Sequence, residues 1–166
     1  MAEATERYVL PLLQSGQSQK EITHNEALIR LDALLHLAVE SQAAMAPPAS
    51  PEPGQCWIVA VPASDAWAGQ EGLVAQFHAG GWNFIEPADG CLAWVKDEGL
   101  FAYRSAGDWR SDAWPVKRLQ LGGATMLTAP QPAIANPTGG GMVDTEARDT
   151  LVQVLEALRR QGLIEN

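Results

Sequence analysis

Hydrophobic residues recur with helical spacing in a segment near the start of the chain. They are separated by three or four positions, with two further leucines beside the stripe: Ala27, Leu31, Leu34, Ala38, Leu28 and Leu35. Asp32 lies on the opposite, polar side of this pattern. Thr23 and Glu26 have the spacing of a capping box, in which each side chain satisfies a free amide of the other residue. The segment therefore predicts an amphipathic helix that begins at Thr23, or as early as Ser18, and ends near Ser41.

A second helical pattern lies near the end of the chain. Asp144 or Thr145 is suited to cap its start, and Gly162 is suited to end it. Its apolar residues follow the a/d spacing of a coiled coil over about two heptads: Ala147, Leu151, Val154 and Leu158. A helix of this length is marginal in water by itself, so we expect it to associate with copies of itself.

Between these helices the pattern changes to short runs rich in aromatic and β-branched residues, which are typical of strands. The runs are separated by turns that contain glycine: CWIVAV, LVAQFH, WNFIEP, CLAWVKDE and LFAYRS. Their spacing of roughly ten residues predicts an antiparallel β meander, folded as a small sheet or partial barrel. Two segments, QFHAGGWNF and AYRSAGDWRS, each predict a hairpin whose two aromatic residues pair across the strands.

Segments rich in proline and glycine connect these elements. The prolines between residues 47 and 53 cannot continue a helix, and residues 126–142 contain three prolines and a glycine triplet. The fold class predicted is therefore α+β. It comprises an N-terminal arm and assembly helix (1–46), an antiparallel β module (47–121), an extended Pro/Gly linker (122–142) and a C-terminal coiled-coil-like oligomerisation helix (143–166).

The balance of charge limits the classes of partner. The chain has 20 Asp and Glu against 11 Lys and Arg, with a net charge of -9. Nucleic-acid binders usually present a basic face, so we expect no nucleic-acid partner. No segment approaches the roughly 18 apolar residues of a membrane span, and the first residues lack the pattern of a signal peptide. We therefore expect no membrane insertion.

The motifs of common catalytic and metal sites are missing from the sequence. It contains no G-x-S-x-G, no H-E-x-x-H and no phosphate-binding G-x-x-x-x-G-K-[ST]. His24, His36 and His78 are scattered and lack the spacing of metal ligands. We therefore expect no enzymatic activity, no cofactor and no metal. Cys56 and Cys91 lie in strand-like runs and are interpreted as buried free thiols, although a disulfide between them is left open.

Six tryptophans are the most unusual feature of the middle segment. We expect most of them to pack inside the small sheet, which needs large rings to bury enough area. The alternative is that some are exposed and stack on sugar rings, as in a carbohydrate-binding module. Trp67 and Trp109 adjoin turns and are the best candidates for such binding, together with Tyr103. Several acidic residues show no recognisable pairing, so a glycan-active enzyme is the weakest hypothesis: Glu86, Asp89, Asp97 and Glu98.

Three segments within residues 8–115 match a known pattern: LPLLQSGQSQKEITHNEALIRLDALLHLAVE, APPASPEPGQCWIV and AWAGQEGLVAQFHAGGWNFIEPADGCLAWVKDEG. They resemble a family of uncharacterised domains that occurs in bacteriophages and in phage-derived gene-transfer particles, in tail-fibre and head-spike proteins. The last helix, DTEARDTLVQVLEALRRQGLI, is similar to the C-terminal helix of many phage fibres, where it helps three chains to trimerise.

The resemblance implies a virion structural component without enzymatic activity, either an adaptor that recruits a separate fibre or a short fibre itself. We expect a homotrimer, held by Leu28, Leu31 and Leu35 of the first helix and by the apolar seam of the last one. Other virion proteins are the expected partners, and a host cell-surface polysaccharide is a further candidate. The expected location is the bacterial cytoplasm during assembly and then the virion or phage-like particle, with head and tail both open.

Overall fold

The computed structural model describes residues 4–14, 16, 20–117, 119–121, 124–127, 130–142 and 144–165. The chain divides into two compact units, Met1–Ala113 and Trp114–Asn166. Helices and mostly antiparallel strands are both present, which confirms the α+β class. Among the described residues the strands do not close into a barrel.

The described residues of the first unit form one helix and seven strands. They are α1 (Lys20–Leu34), β1 (Ala38–Val39), β2 (Cys56–Ile58), β3 (Val74–His78), β4 (Gly81–Ile85), β5 (Leu92–Val95), β6 (Leu100–Ser105) and β7 (Asp108–Arg110), with a 3-10 turn at Asp65–Trp67. One sheet has the order β2-β3-β4 and the other the order β1-β5-β6-β7. All neighbours are antiparallel except β1 and β5, which are parallel. Each of the five runs predicted as strands therefore contains one.

The segment around β1 joins the two sheets. On one side, the amide of Trp94 donates to the carbonyl of Leu37 at 2.9 Å. On the other side, the amide of Glu40 donates to the carbonyl of Cys56 at 2.8 Å. This segment therefore lies between β5 and β2, and residues of both sheets belong to one hydrophobic cluster.

The start of α1 lies between the two predicted starts, Ser18 and Thr23, whereas its end differs from the predicted one. The helix begins at Lys20, so Thr23 lies within its first turns and the predicted capping box is wrong. It ends at Leu34, so the predicted end near Ser41 is also wrong. His36 adopts a left-handed backbone with φ of 45°, and the chain then enters β1. Strand pairing with β5 and burial of the following residues override the local helical pattern.

Two hydrophobic clusters lie on opposite faces of the β2-β3-β4 sheet. The larger includes residues of α1, β1, β5 and β6: Ala33, Leu37, Val39, Cys56, Ile58, Val74, Ile85, Ala93, Val95 and Ala102. The smaller consists of Trp57, Val59, Trp67 and Ala75. Successive residues of β2 alternate between the clusters because strand side chains point alternately to the two faces. Since the larger cluster joins the helix to the strands, the predicted boundary at residues 46 and 47 falls inside one compact unit.

The second unit contains β8 (Leu119–Leu121), β9 (Ala124–Leu127) and α2 (Thr145–Arg160), and β8 pairs with β9 in an antiparallel hairpin. The carboxylate of Asp144 accepts a hydrogen bond from the amide of Ala147 at 2.9 Å, which confirms the predicted N-cap. Gly162, with φ of +66°, follows the C-cap as predicted. The predicted start of the linker, at residues 122 and 123, lies outside the described residues.

Candidate functional site

The four residues of the predicted seam lie on one face of α2. Leu151 and Val154 have exposed fractions of 54% and 49%, Ala147 is exposed and Leu158 is partly exposed. Arg159, which lies toward another side of the helix, donates to the side chain of Asn136 at 3.1 Å. Leu151 and Val154 therefore form an apolar stripe that is about half exposed in the described second unit. Its coiled-coil role stays a prediction.

The leucines predicted for assembly on the first helix are only partly surface residues. Leu31 and Leu35 are exposed, whereas Leu28 is partly buried. Leu35 lies one residue beyond the end of α1. The residues that α1 buries are Asp32 and Ala33. The assembly role of the three leucines stays a prediction.

Asp32, which the periodicity assigns to the polar side of the helix, is fully buried and holds the N-terminal arm. Its carboxylate accepts hydrogen bonds from the hydroxyl of Thr5 at 2.6 Å and from the amides of Tyr8 and Arg7 at 2.7 and 3.0 Å. The guanidinium of Arg7 donates to the carbonyls of Asp32 and Ala33 at 2.7 Å each, where the helix leaves them unpaired. We call these contacts the arm clasp. The sequence gives no signal for it beyond an aspartate in a helix.

Two further contacts hold the arm. The side chain of Asn25 accepts from the amide of Leu13 at 2.9 Å and donates to its carbonyl at 3.0 Å. The carboxylate of Glu6 lies 2.6 Å from the imidazole of His78 on β3. The asparagine of the T-H-N-E motif therefore has a structural role, because it fixes extended backbone against α1.

Trp67, a predicted glycan-binding residue, has an exposed fraction of 0%. Its ring lies 6.1 Å from that of Trp57 and 5.1 Å from that of Trp82, measured between centroids. The expectation that Trp67 is exposed is therefore wrong. The 3-10 turn that contains it directs the ring toward the β2-β3-β4 sheet, although turns adjoin it in sequence.

The hairpin predicted at QFHAGGWNF is present with its aromatic pair. Phe77 lies directly across from Trp82, and their ring centroids are 5.1 Å apart. Ala79 and Gly80 form the turn, and both have positive φ, at 49° and 79°. Such a turn has the twist that favours a tight hairpin, so residues equally distant from it face each other.

The hairpin predicted at AYRSAGDWRS is also present, but its predicted aromatic pair is wrong. Tyr103 lies across from Arg110, and Trp109 lies across from Arg104. Ala106 and Gly107 form a turn of the same length as in the first hairpin. The two aromatic residues are one position further apart here, which places them on opposite faces. Trp109 is partly buried and its indole N–H donates to the carbonyl of Gly72 at 2.9 Å.

The outer face of β5 and β6 carries an exposed group of apolar side chains that the sequence analysis missed. Trp94 and Phe101 face each other across the strands, with ring centroids 4.9 Å apart. Leu92 and Tyr103 form the next pair along the same strands. We call these four residues the aromatic face. Their alternation with the buried Ala93 and Ala102 is the signal that could have identified it.

A buried arginine lies on the other side of β6. Arg104 has an exposed fraction of 8%, and its Nη1 donates to the carbonyl of Gly72 at 2.7 Å. Its guanidinium carbon is 5.9 Å from the ring of Trp109. These groups line a cavity of about 390 Å³, the Arg104 cavity, together with Gln42, Ile58, Val59, Ala60, Val61, Gly107 and Asp108.

A second cleft, of about 560 Å³, lies between α1 and the β3–β4 hairpin. It is lined by Glu26, Ile29, Arg30, His78, Trp82, Asn83, Phe84 and Ile85.

Both cysteines are free thiols. Burial in the core raises the pKa of Cys56 to about 12, and partial burial also raises the pKa of Cys91.

Among the described residues, no group of three or more His, Cys, Asp and Glu side chains is placed to hold a metal ion. No helix in the described part of the chain is long and apolar enough to cross a membrane.

Comparison with known proteins identifies a family for most of the first unit. A family model described as "Protein of unknown function (DUF2793)" matches residues 24–110, from α1 to the end of β7. No curated protein matches the sequence. The matched residues include the aromatic face and the Arg104 cavity, whereas α2 lies outside them. Because the match spans more than half of the 166 residues, the chain belongs to the DUF2793 family of proteins of unknown function.

Proposed function

We propose that the chain is a structural component of a phage or phage-like particle, serving as a base or adaptor of a tail fibre or head spike. In this proposal it forms a homotrimer and contacts other virion proteins. The observation that most supports self-association is the seam of α2, where Leu151 and Val154 are about half exposed at coiled-coil spacing. The resemblance of residues 8–115 and of the last helix to phage proteins supports the particle setting.

The energetics favour association of α2 through this seam. Burying a leucine or valine side chain stabilises an interface by about 1.5–3 kcal/mol. Because Leu151 and Val154 are about half exposed, a single chain does not obtain the full free energy of burying them. In a trimer each seam residue is buried in every copy, so this favourable free energy is repeated three times.

A pair of charge substitutions on α2 tests the proposal. Leu151→Asp places a carboxylate in the seam and is expected to dissociate the assembly, because an unpaired charge is costly to bury. Gln153→Asp is the matched control, because it adds the same charge on the opposite side of the helix, at an exposed position. Analytical ultracentrifugation should show a smaller mass for Leu151→Asp alone. An unchanged mass for Leu151→Asp would contradict a role for the seam.

Binding of a host-surface polysaccharide is a second candidate function, and the aromatic face favours it. Trp94 and Phe101 are exposed, and Tyr103 is partly exposed beside them. Exposed ring faces of this kind suit the apolar side of a sugar ring. This candidate replaces Trp67 with Trp94 as the principal contact.

Polysaccharide binding is tested by screening the native protein on a panel of bacterial surface glycans. A ligand found there should lose affinity for Trp94→Ala, while Trp114→Ala serves as the control, since Trp114 is an exposed tryptophan outside the aromatic face. Absence of binding across the panel, or equal loss for both variants, would count against this function.

A further inference from the structure

The Arg104 cavity contains a buried cation without an anionic partner. Among the described residues Arg104 forms no ion pair, whereas Glu6 pairs with His78 and Glu40 pairs with Lys96. The guanidinium donates to one carbonyl, that of Gly72. A charge removed from water without a counter-charge is costly, and a cation above an aromatic ring recovers only part of that cost.

Gly72 brings the carbonyl and the guanidinium together. Its φ is +77°, and a Cβ atom added there would lie 3.1 Å from Nη1 of Arg104. The same carbonyl also accepts from the indole of Trp109 at 2.9 Å. One carbonyl is thus shared by two donors, which leaves most of the N–H donors of the guanidinium without a protein acceptor among the described residues.

The lining of the cavity indicates the class of ligand. A guanidinium presents parallel N–H donors that match the two oxygens of a carboxylate. Trp109 supplies a flat apolar wall. The amide nitrogen of Gln42, another lining residue, is already bound to the side chains of Glu98 and Ser111, at 2.9 Å each. Asp108 is also a lining residue, but its side chain points to the opposite side of β7 from Trp109. The chain as a whole carries a net charge of -9. A second negative charge on the ligand is therefore disfavoured, which argues against phosphate dianions.

We propose that the Arg104 cavity is a binding site for a small monocarboxylate with a ring body, whose carboxylate pairs with Arg104 and whose ring packs on Trp109. The site is independent of the α2 seam, since the cavity lies within the first unit. It is also distinct from the aromatic face, because Tyr103 and Arg104 are adjacent in β6 and point to opposite sides of the sheet.

Binding is tested on the full chain with three probes: D-glucuronate, its neutral amide D-glucuronamide, and inorganic phosphate. The readouts are isothermal titration calorimetry and the indole N–H resonance of Trp109 in a ¹⁵N–¹H spectrum. Glucuronate should bind about 10- to 100-fold more tightly than glucuronamide, since hydrogen bonds to a charged acceptor are the stronger ones, and should shift the Trp109 resonance. Equal binding of acid and amide, tighter binding of phosphate, or no shift at Trp109 would overturn the proposal.

Two arginine variants test whether Arg104 is the residue that binds the ligand carboxylate. Arg104→Lys keeps the charge but loses the paired donors, so it should weaken glucuronate binding by about tenfold. Arg110→Gln, the matched control at an exposed arginine on β7, should bind as the native protein does. Near-native chemical shifts outside the cavity establish that Arg104→Lys is folded. Native affinity in a folded Arg104→Lys protein, or equal loss in both variants, would refute the role of Arg104. If a variant fails to fold, the affinities of the native protein for D-glucuronate and D-glucuronamide still test the proposal.

Discussion

The arm clasp makes the sharpest prediction for stability, because one buried carboxylate accepts three hydrogen bonds. Replacing Asp32 by Asn leaves the volume almost unchanged but removes the charge and one acceptor oxygen. The new amide nitrogen is itself a donor, and it must face either the amide of Arg7 or both the hydroxyl of Thr5 and the amide of Tyr8. At least one buried donor therefore loses its acceptor.

The magnitude follows from the number and type of contacts. A hydrogen bond to a charged group contributes about 1.5–3 kcal/mol, and leaving a buried donor unsatisfied costs about 1–3 kcal/mol. Since the contacts of Asp32 share one acceptor group, their effects do not add fully. We expect Asp32→Asn to lower the free energy of unfolding by about 3 kcal/mol. If the arm detaches first, the loss is limited to the free energy that holds residues 4–13 against α1.

The assay is urea unfolding followed by tryptophan fluorescence, with hydrogen exchange at the amides of the arm. The control is Glu26→Gln, which removes the same charge from an exposed position of α1. A loss of about 3 kcal/mol lowers the urea midpoint by about 1–3 M. Loss of protection at Arg7 and Tyr8 with a smaller change in midpoint indicates release of the arm alone. Equal midpoints and equal exchange for Asp32→Asn and Glu26→Gln would refute the clasp.

Three further predictions concern the core and the surface. At pH 8 Ellman's reagent should modify Cys91 but not Cys56 in the folded protein, and it should modify both cysteines in urea. The reason is that burial raises the pKa of Cys56 to about 12, so the reactive thiolate of Cys56 forms only as the pH rises toward that value. Equal rates in the folded protein would contradict this burial. Gly72→Ala should lower the free energy of unfolding by about 1–3 kcal/mol in urea titrations, because Gly72 has a positive φ and a Cβ atom there would crowd the guanidinium of Arg104. An unchanged urea midpoint would contradict the close approach of Gly72 and Arg104. Leu31→Glu should leave unfolding of the dissociated chain within about 0.5 kcal/mol of native, since the side chain is exposed; a large loss in calorimetry would show that it is buried.

Local pattern was sufficient for part of the fold. The strand runs and the hairpin turns follow from residue periodicity and glycine placement, and the N-cap at Asp144 follows from side-chain chemistry. β1 was missed because Ala38 continues a helical spacing, and its pairing with β5 involves residues more than fifty positions away. Such long-range pairing leaves no trace in a local window.

The candidate sites were harder to predict for the same reason. Burial of Asp32 depends on an arm that precedes it in sequence by more than twenty residues. The opposite orientations of Tyr103 and Trp109 depend on a one-residue difference in spacing around a turn, which could have been counted from the sequence. The environment of Arg104 depends on tertiary contacts, because Arg104 on β6 and Trp109 on β7 both donate to the carbonyl of Gly72, more than thirty residues earlier in the sequence.

The mass of the native full-length chain in solution tests the central claim of self-association most directly. Size-exclusion chromatography with multi-angle light scattering at micromolar concentration measures it without a label. We expect three times the chain mass of 17.8 kDa. Another multiple would retain self-association but reject the trimer. A mass of 17.8 kDa across the micromolar range would contradict the proposal that this chain is an assembly protein.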